Sequence, residues 1–318
     1  MKVNRMFRAA VAALALGVAG GALAIDQLKV MIPAGPGGGF DQTGRNLAAA
    51  MQAAGSIKSA QFDNKGGAGG AIGLAQFVTT SKGDPNALFV SGLVTVGSTA
   101  MNKSPVTLAN VTPIARLTAE AEAIIVPANS PFKSMKDVVA ALKANPGAVS
   151  FSGGSAGGTD HILAGMIAKD AGVDPAKVNY VPFTSGAEAV AAVLGGQVSA
   201  GISGYGEFAQ HIKSGRVRAL AVSGADKLEG VPSLKEQGIN VELVNWRGVF
   251  GAPGITPEQA KELTAAVEAG TKNAKWQDTL QKLDWNPYWL AGDAFKAFVD
   301  SEQKRIAAVL DSLNLTKK

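Results

Sequence analysis

An α/β fold with mainly parallel sheets, arranged as two lobes, is what this sequence predicts, and three observations predict it. Short apolar runs alternate with helical patterns of roughly 10–15 residues, the order that gives parallel strands joined by crossover helices. Two stretches share one plan of strand, glycine loop and helix: residues 28–32 followed by P-A-G-P-G-G-G-F-D, and residues 149–151 followed by S-G-G-S-A-G-G-T-D-H. They lie about 120 residues apart in a chain of 318, a length that suits two domains.

The first expected strand is 28–32, followed by an amphipathic helix over 43–54. A short strand at 61–63 leads into N-K-G-G-A-G-G, a further glycine loop, and a helix over 71–80. Residues 87–91 read as a strand and 92–99 as a polar loop; 113–117 and 123–127 read as the next two strands. Ser134 caps a helix over 135–144, which stops at Asn145-Pro146-Gly147. The second glycine loop follows, with a helix opening near Thr159. A strand at 178–182, a helix to Leu194, a strand ending at Ser203-Gly204-Tyr205, a helix over 207–213 and a strand at 219–223 come next. Residues 241–250 are extended, and Pro257 sits at the first position of a helix, where its missing N–H costs nothing. A helix near Trp276, a strand at 286–290 and a last helix over 293–313 complete the order.

Composition excludes several chemistries. Apolar residues make up 47% and charged residues 17%, enough for a sizeable core and unlike a disordered chain. Cysteine is absent, so disulfides, thiolate metal sites and a cysteine nucleophile are all excluded. Two histidines leave no material for a His-rich metal site, and no metal or cofactor is expected. The first 24 residues carry Lys2, Arg5 and Arg8, then an apolar run ending Ala22-Leu23-Ala24, which reads as a signal peptide cleaved after Ala24. Without it, 27 basic residues face 25 acidic ones, a net charge of +2 that gives no reason to expect nucleic acid as a partner.

The glycine loops are the candidate site. Glycines 153, 154, 157 and 158 let a ligand approach the main chain closely. Open helix starts present unsatisfied amides and a positive dipole end, an arrangement suited to an anion. Asp41, Thr159 and Asp160 are N-cap types. G-G-S-A-G also fits the G-x-S-x-G nucleophile elbow, with Ser155 as nucleophile and His211 in the right chain order, which would make the protein a secreted serine hydrolase. Against it, two glycines and a threonine separate Ser155 from its helix. The loop at 35–40 lacks the third glycine of a dinucleotide fingerprint, and no G-K-[ST] occurs. His161 could face the core or a ligand. Arg247 lies in an otherwise apolar extended run. It needs a partner there, either an internal acid such as Glu120 or Glu122 or a ligand carboxylate held in bidentate geometry.

Taken in order, these stretches resemble the periplasmic solute receptors of tripartite tricarboxylate transporters, also called Bug-type binding proteins. The motifs are I-P-A-G-P-G-G-G-F-D, N-K-G-G-A-G-G-A-I-G, P-A-N-S-P-F-K-S-M-K-D, S-G-G-S-A-G-G-T-D-H, Y-V-P-F-T-S-G-A-E-A, L-G-G-Q-V, I-K-S-G-R-V-R-A-L-A-V-S and G-A-P-G-I-T-P-E. The resemblance covers nearly the whole chain after the signal peptide. It implies a periplasmic-binding-protein fold with two crossover segments and a ligand cleft between lobes. Residues 25–125 and 245–318 would form lobe one, and 126–244 lobe two. It further implies that a carboxylate is gripped by Gly37, Gly38 and Asp41 in lobe one. In lobe two the grip would come from Ser155, Gly158, Thr159 and His161, with Thr184, Ser185 and Gly186 nearby. Many relatives carry an aromatic or small residue where this chain has Arg247, and a cation there suits a second or third carboxylate. The closest likeness is thus to citrate-type receptors, with Ser203 and Tyr205 as further specificity candidates. A dicarboxylate, amino acid or aromatic acid is the alternative ligand. The resemblance implies a monomeric, non-catalytic periplasmic receptor that serves the large and small subunits of a permease, with the periplasmic domain of a sensor kinase as a further conceivable partner.

Overall fold

The computed structural model describes residues 24–183 and 186–316. The expected signal peptide, apart from Ala24, lies outside them, as do Thr184 and Ser185. The elements are β1 (Ile25–Ile32), α1 (Gly39–Ala53), β2 (Ile57–Asn64), α2 (Ala71–Thr80), β3 (Ala87–Gly92), α3 (Leu93–Met101), β4 (Thr112–Pro127), α4 (Met135–Ala144), β5 (Ser150–Gly153), α5 (Thr159–Asp170), β6 (Asn179–Pro182), α6 (Gly186–Leu194), β7 (Ala200–Gly204), α7 (Tyr205–Lys213), β8 (Val217–Val222), β9 (Val244–Gly251), α8 (Pro257–Lys272), α9 (Ala274–Lys282), β10 (Asn286–Ala291) and α10 (Gly292–Ser312).

The strands run in the order β2-β1-β3-β9-β4-β7-β5-β6, with β8 and β10 also paired to β4. The predicted parallel character holds in the two outer groups, where β1 pairs with β2 and β3, and β5 pairs with β6 and β7. The middle is antiparallel: β9 opposes β3 and β4, and β7, β8 and β10 oppose β4. The reversal follows from β4 running through both groups. Its first part, to Ala121, pairs with β9, and residues 122–127 pair with β7 and β8. The chain passes from one sheet half to the other within β4 and returns between β8 and β9.

Three apolar clusters cover the sheet. Leu28, Val30, Leu47, Met51, Leu88 and Trp276 join the first half to α1, α8 and α9. Ile125, Val193, Phe208 and Val222 join the second half to α6 and α7. The largest cluster, with Phe89, Val96, Ile124, Phe151, Leu163, Trp246 and Phe295, continues through both. No helix among the described residues is long and apolar enough to cross a membrane.

Two elements differ from expectation. The polar loop expected at 92–99 is helix α3, which buries Leu93, Val96 and Met101 in the core. Packing outweighs its weak helix propensity here. The two strands expected at 113–117 and 123–127 are one strand of 16 residues, buried almost throughout. The acids that interrupt the apolar pattern, Glu120 and Glu122, lie inside it at 1% and 0% exposure.

Candidate functional site

A cavity of about 150 Å³ lies at the C-terminal ends of β1, β5 and β7, the edge at which open α/β sheets bind ligands. Its wall combines Gly35, Gly38 and Gly39 from the first glycine loop, Gly66 to Gly69 from the loop after β2, and Gly154 and Ser155 from the second unit. Val94, Asp160, Gly186, Ser203, Glu207, Asn245 and Arg247 also line it.

The two glycine loops share a backbone geometry. Helix α1 begins at the N-cap Gly38 and α5 at the N-cap Gly158, and neither has a side-chain cap. The residue before each cap, Gly37 or Gly157, is left-handed, with φ +84° and +78°. A Cβ is disfavoured in that region. Both helix starts thus keep amides open to a ligand.

The acids expected as caps hold the loops from behind. Asp41 Oδ2 accepts the Gly37 N–H at 2.9 Å, and Oδ1 accepts from Arg45 Nε at 2.8 Å and Asn64 Nδ2 at 2.9 Å. Asp160 Oδ2 accepts the Gly154 N–H at 2.5 Å. His161 Nδ1 accepts the Gly157 N–H at 3.0 Å, which leaves its proton on Nε2. Its ring stacks on Tyr180 at 4.4 Å, and the Tyr180 hydroxyl donates to Gly154 O at 2.7 Å. Burial lowers the His161 pKa to about 4, so the ring is neutral. Thr159 Oγ1 donates to Asn245 Oδ1 at 3.3 Å.

Of the residues singled out from sequence, Gly38, Ser155, Gly186, Ser203 and Arg247 are on the cavity wall. Gly37, Asp41, Gly158, Thr159 and His161 belong to the scaffold that shapes it. Tyr205 opens α7 and is 2% exposed. Among the described residues no hydrogen bond joins Ser155 to His161 or His211, the link a nucleophile elbow needs.

Arg247 is both paired and on the wall. Its Nη2 donates to Glu120 Oε1, and its guanidinium lies over the Trp285 ring at 5.0 Å. Trp285 Nε1 donates to Glu120 Oε2 at 2.8 Å, and Asn245 Nδ2 reaches Glu120 Oε1 at 3.5 Å. Among the described residues Nη1 of Arg247 has no hydrogen-bond partner, although the residue is 3% exposed. More acids surround it than it can neutralise. Burial, and then the negative charge of Glu120, raises Glu207 to about 7. Burial raises Asp160 to about 6 against the pull of the Gly154 N–H. Glu122 is pushed well above the carboxylate range by burial and by Asp160 and Glu120.

Sequence reading missed Glu207, Asn245, the Gly66–Gly69 wall and the role of Asp160 in the site. The glycines of N-K-G-G-A-G-G were a usable signal; Glu207, on an ordinary amphipathic helix, had none.

Residues 46–315 match the family model described as "Tripartite tricarboxylate transporter family receptor". The chain is 27% identical over 261 residues to the "UPF0065 protein in gbd 5'region" of Cupriavidus necator, covering 80% of this chain and 78% of that protein. Its fold is similar to that of the periplasmic binding protein BugD, with a TM-score of 0.83 at 23% identity over 92% of this chain and 99% of BugD. It is also similar to that of the malate-bound MatC protein of Rhodopseudomonas palustris, with a TM-score of 0.79 at 21% identity over 90% of this chain and 99% of MatC.

Proposed function

The chain belongs to the tripartite tricarboxylate transporter receptor family, and from that premise we propose that it captures a small carboxylate outside the cytoplasmic membrane and hands it to a membrane permease. One observation carries the reading. Two uncapped helix starts of closely similar loop geometry, each following a left-handed glycine, Gly37 or Gly157, flank a single cavity, which Gly38 and Gly39 line from α1 and Asp160 from α5. Amides at helix starts bind carboxylates through charge-assisted hydrogen bonds.

In this reading the sheet halves act as two lobes, residues 25–125 with 245–318 and residues 126–244. The ligand touches both only when they are closed, which shifts the population toward closure. Three or four charge-assisted bonds at roughly 1.5–3 kcal/mol each, less the ordering cost, correspond to micromolar binding, about −8 kcal/mol. The signal peptide delivers the chain to the periplasm, and the closed form docks on the permease subunits.

Malate in the MatC relative favours a small carboxylate here. A citrate-like tricarboxylate gains less support. It would need Arg247 for its extra charge, and that guanidinium already serves Glu120, with Asp160 and Glu207 close by. Calorimetric titration of protein freed of ligand by unfolding and refolding tests the reading, using citrate, malate, succinate, glutamate and terephthalate. Saturable 1:1 heat with at least one acid is expected. Silence from all of them, together with ester hydrolysis abolished by Ser155→Ala, would replace the receptor with a hydrolase.

A further inference from the structure

Glu122 is fully buried and lies off the cavity wall, where β4 leaves β9 and begins to pair with β7. Neither of its carboxyl oxygens meets an N–H or hydroxyl donor among the described residues. The group it does meet is the carboxyl of Asp160, on α5. Two ionised carboxylates offer acceptors only, so a hydrogen bond between them requires a proton on one. The surroundings favour that proton. Glu120 on β4 and Glu207 on α7 add negative charge, Tyr180 faces the pair from β6, and Arg247 on β9 is already engaged by Glu120. Burial, then the charges of Asp160 and Glu120, push Glu122 well above the carboxylate range. Burial raises Asp160 less, to about 6, because the Gly154 N–H and Glu122 pull it back.

The pair bears on the second glycine loop. Asp160 Oδ2 accepts the Gly154 N–H at 2.5 Å, and the Tyr180 hydroxyl donates to Gly154 O at 2.7 Å, so Gly154 is gripped at both its N–H and its C=O. The grip is tight: a Cβ on Gly153 would lie 2.5 Å from the Tyr180 hydroxyl and 2.6 Å from Asp160 Cβ. Gly154 and Ser155 in turn form part of the cavity wall. We infer that Glu122 and Asp160 share one proton, with Glu122 as the O–H donor, and that Glu122 thereby positions the Gly154–Ser155 wall from outside the cavity; its effect on affinity rests on the receptor reading. Without that donor the Asp160 charge keeps only the Gly154 N–H as a buried partner among the described residues. A carboxylate so poorly paired is costly, and the cavity that Asp160 lines offers it water instead. Glu122 is a positioning residue and touches no ligand atom.

Infrared spectroscopy of the full mature protein tests the proton without any variant. At pH 8, above the values of about 6 and about 7 at which Asp160 and Glu207 titrate, the carbonyl stretch of a protonated carboxyl is expected to remain. Glu122→Gln should remove that band and Glu207→Gln should leave it. A parent protein without the band, or a band that survives Glu122→Gln, overturns the shared proton. Hydrogen exchange of the Gly154 amide, read by NMR, tests the positioning. Glu122→Gln keeps an N–H that can donate to Asp160, and exchange should stay within threefold of the parent; Glu122→Leu fills the space without a donor, and exchange should be tenfold or more faster. Equal protection in the two variants would make Glu122 mere packing. Calorimetry with citrate, malate, succinate and glutamate should follow the same order, tenfold or more weaker in Glu122→Leu and within threefold in Glu122→Gln. Undiminished affinity in Glu122→Leu would overturn the effect on the wall. Failure of every acid to bind the parent would overturn the receptor reading instead, while the infrared band and the Gly154 exchange still decide the shared proton and its role.

Discussion

Arg247 and Glu120 form a buried ion pair between β9 and β4, with the guanidinium on the cavity wall and the carboxylate behind it, held also by Trp285 and Asn245. The two residues are 4% and 1% exposed at their side chains. Removing one member of such a pair leaves an uncompensated buried charge, at a cost of about 3–5 kcal/mol, whereas replacing both with apolar groups can be close to neutral. Arg247→Ala is therefore expected to lower stability by that amount. Arg247→Met combined with Glu120→Leu should lose much less than the sum of the single changes. Urea denaturation of the four proteins measures the coupling. Additive losses would mean that the pair is not a unit.

The raised acids make the empty protein sensitive to pH. Asp160 titrates at about 6 against 3.8 in an ordinary carboxyl, and Glu207 at about 7 against 4.5. Between these values the folded state holds protons that the unfolded chain has released, so stability falls as pH rises through the window. His161, lowered to about 4 from 6.5, acts in the opposite sense and offsets one of the two. The empty protein should consequently melt lower at pH 8 than at pH 5. Glu207→Gln should recover about 1–2 kcal/mol at pH 8, a rise of roughly 2–8 °C, with little change at pH 5. A variant that melts no higher than the parent at pH 8 would show that Glu207 is not strained by its neighbours.

Much of this arrangement was legible from residue pattern. The paired strand–glycine-loop–helix units marked both helix starts of the cavity, because a run of glycines between a strand and a helix, with a left-handed position at Gly37 or Gly157, suits a close approach to the main chain. Arg247 stood out because a cation in an apolar strand needs a partner. Helix α3 was not legible: L-V-T-V-G-S-T-A-M has no helical signal, and only its burial between the halves makes it helical. Unbroken β4 was missed because Glu120 and Glu122 look like an exit to solvent, when both are in fact buried, Glu120 behind Arg247 on the cavity wall. Asp41 and Asp160 were read as caps by type. The fold instead turns them back onto Gly37 and Gly154, a contact between loop and helix that spacing alone does not distinguish from capping.

The halves of the sheet touch closely at Gly97. A Cβ there would lie 2.1 Å from Gly157 O, and the adjacent Ser98 hydroxyl donates to Ala156 O at 3.1 Å. Backbone cannot retreat as a flexible side chain can, so Gly97→Ala forces α3 and the β5–α5 loop apart. If closure brings these surfaces together, the substitution should cost tenfold or more in ligand affinity while the melting temperature of the empty protein moves little. Titration and thermal unfolding of the variant separate the possibilities. An unchanged affinity with a much lower melting temperature would mark the contact as permanent packing.

Asp41 offers a way to separate shaping the site from touching the ligand. Its carboxylate holds Gly37, Asn64 and Arg45, and it lies outside the cavity wall. Those bonds also keep its pKa below the usual value despite the opposing effect of burial. Asp41→Ala releases the Gly37 amide and loosens the start of α1, a loss of about 1–3 kcal/mol for the unpaired groups. Because Asp41 lies off the cavity wall, the loss should weaken every bound acid by a similar factor and leave their ranking intact. Arg247→Ala acts at the wall and should change the ranking itself. Titrating both variants against the same set of acids reads the difference directly. A reordered ranking in Asp41→Ala would move that carboxylate from the scaffold into the ligand's own shell.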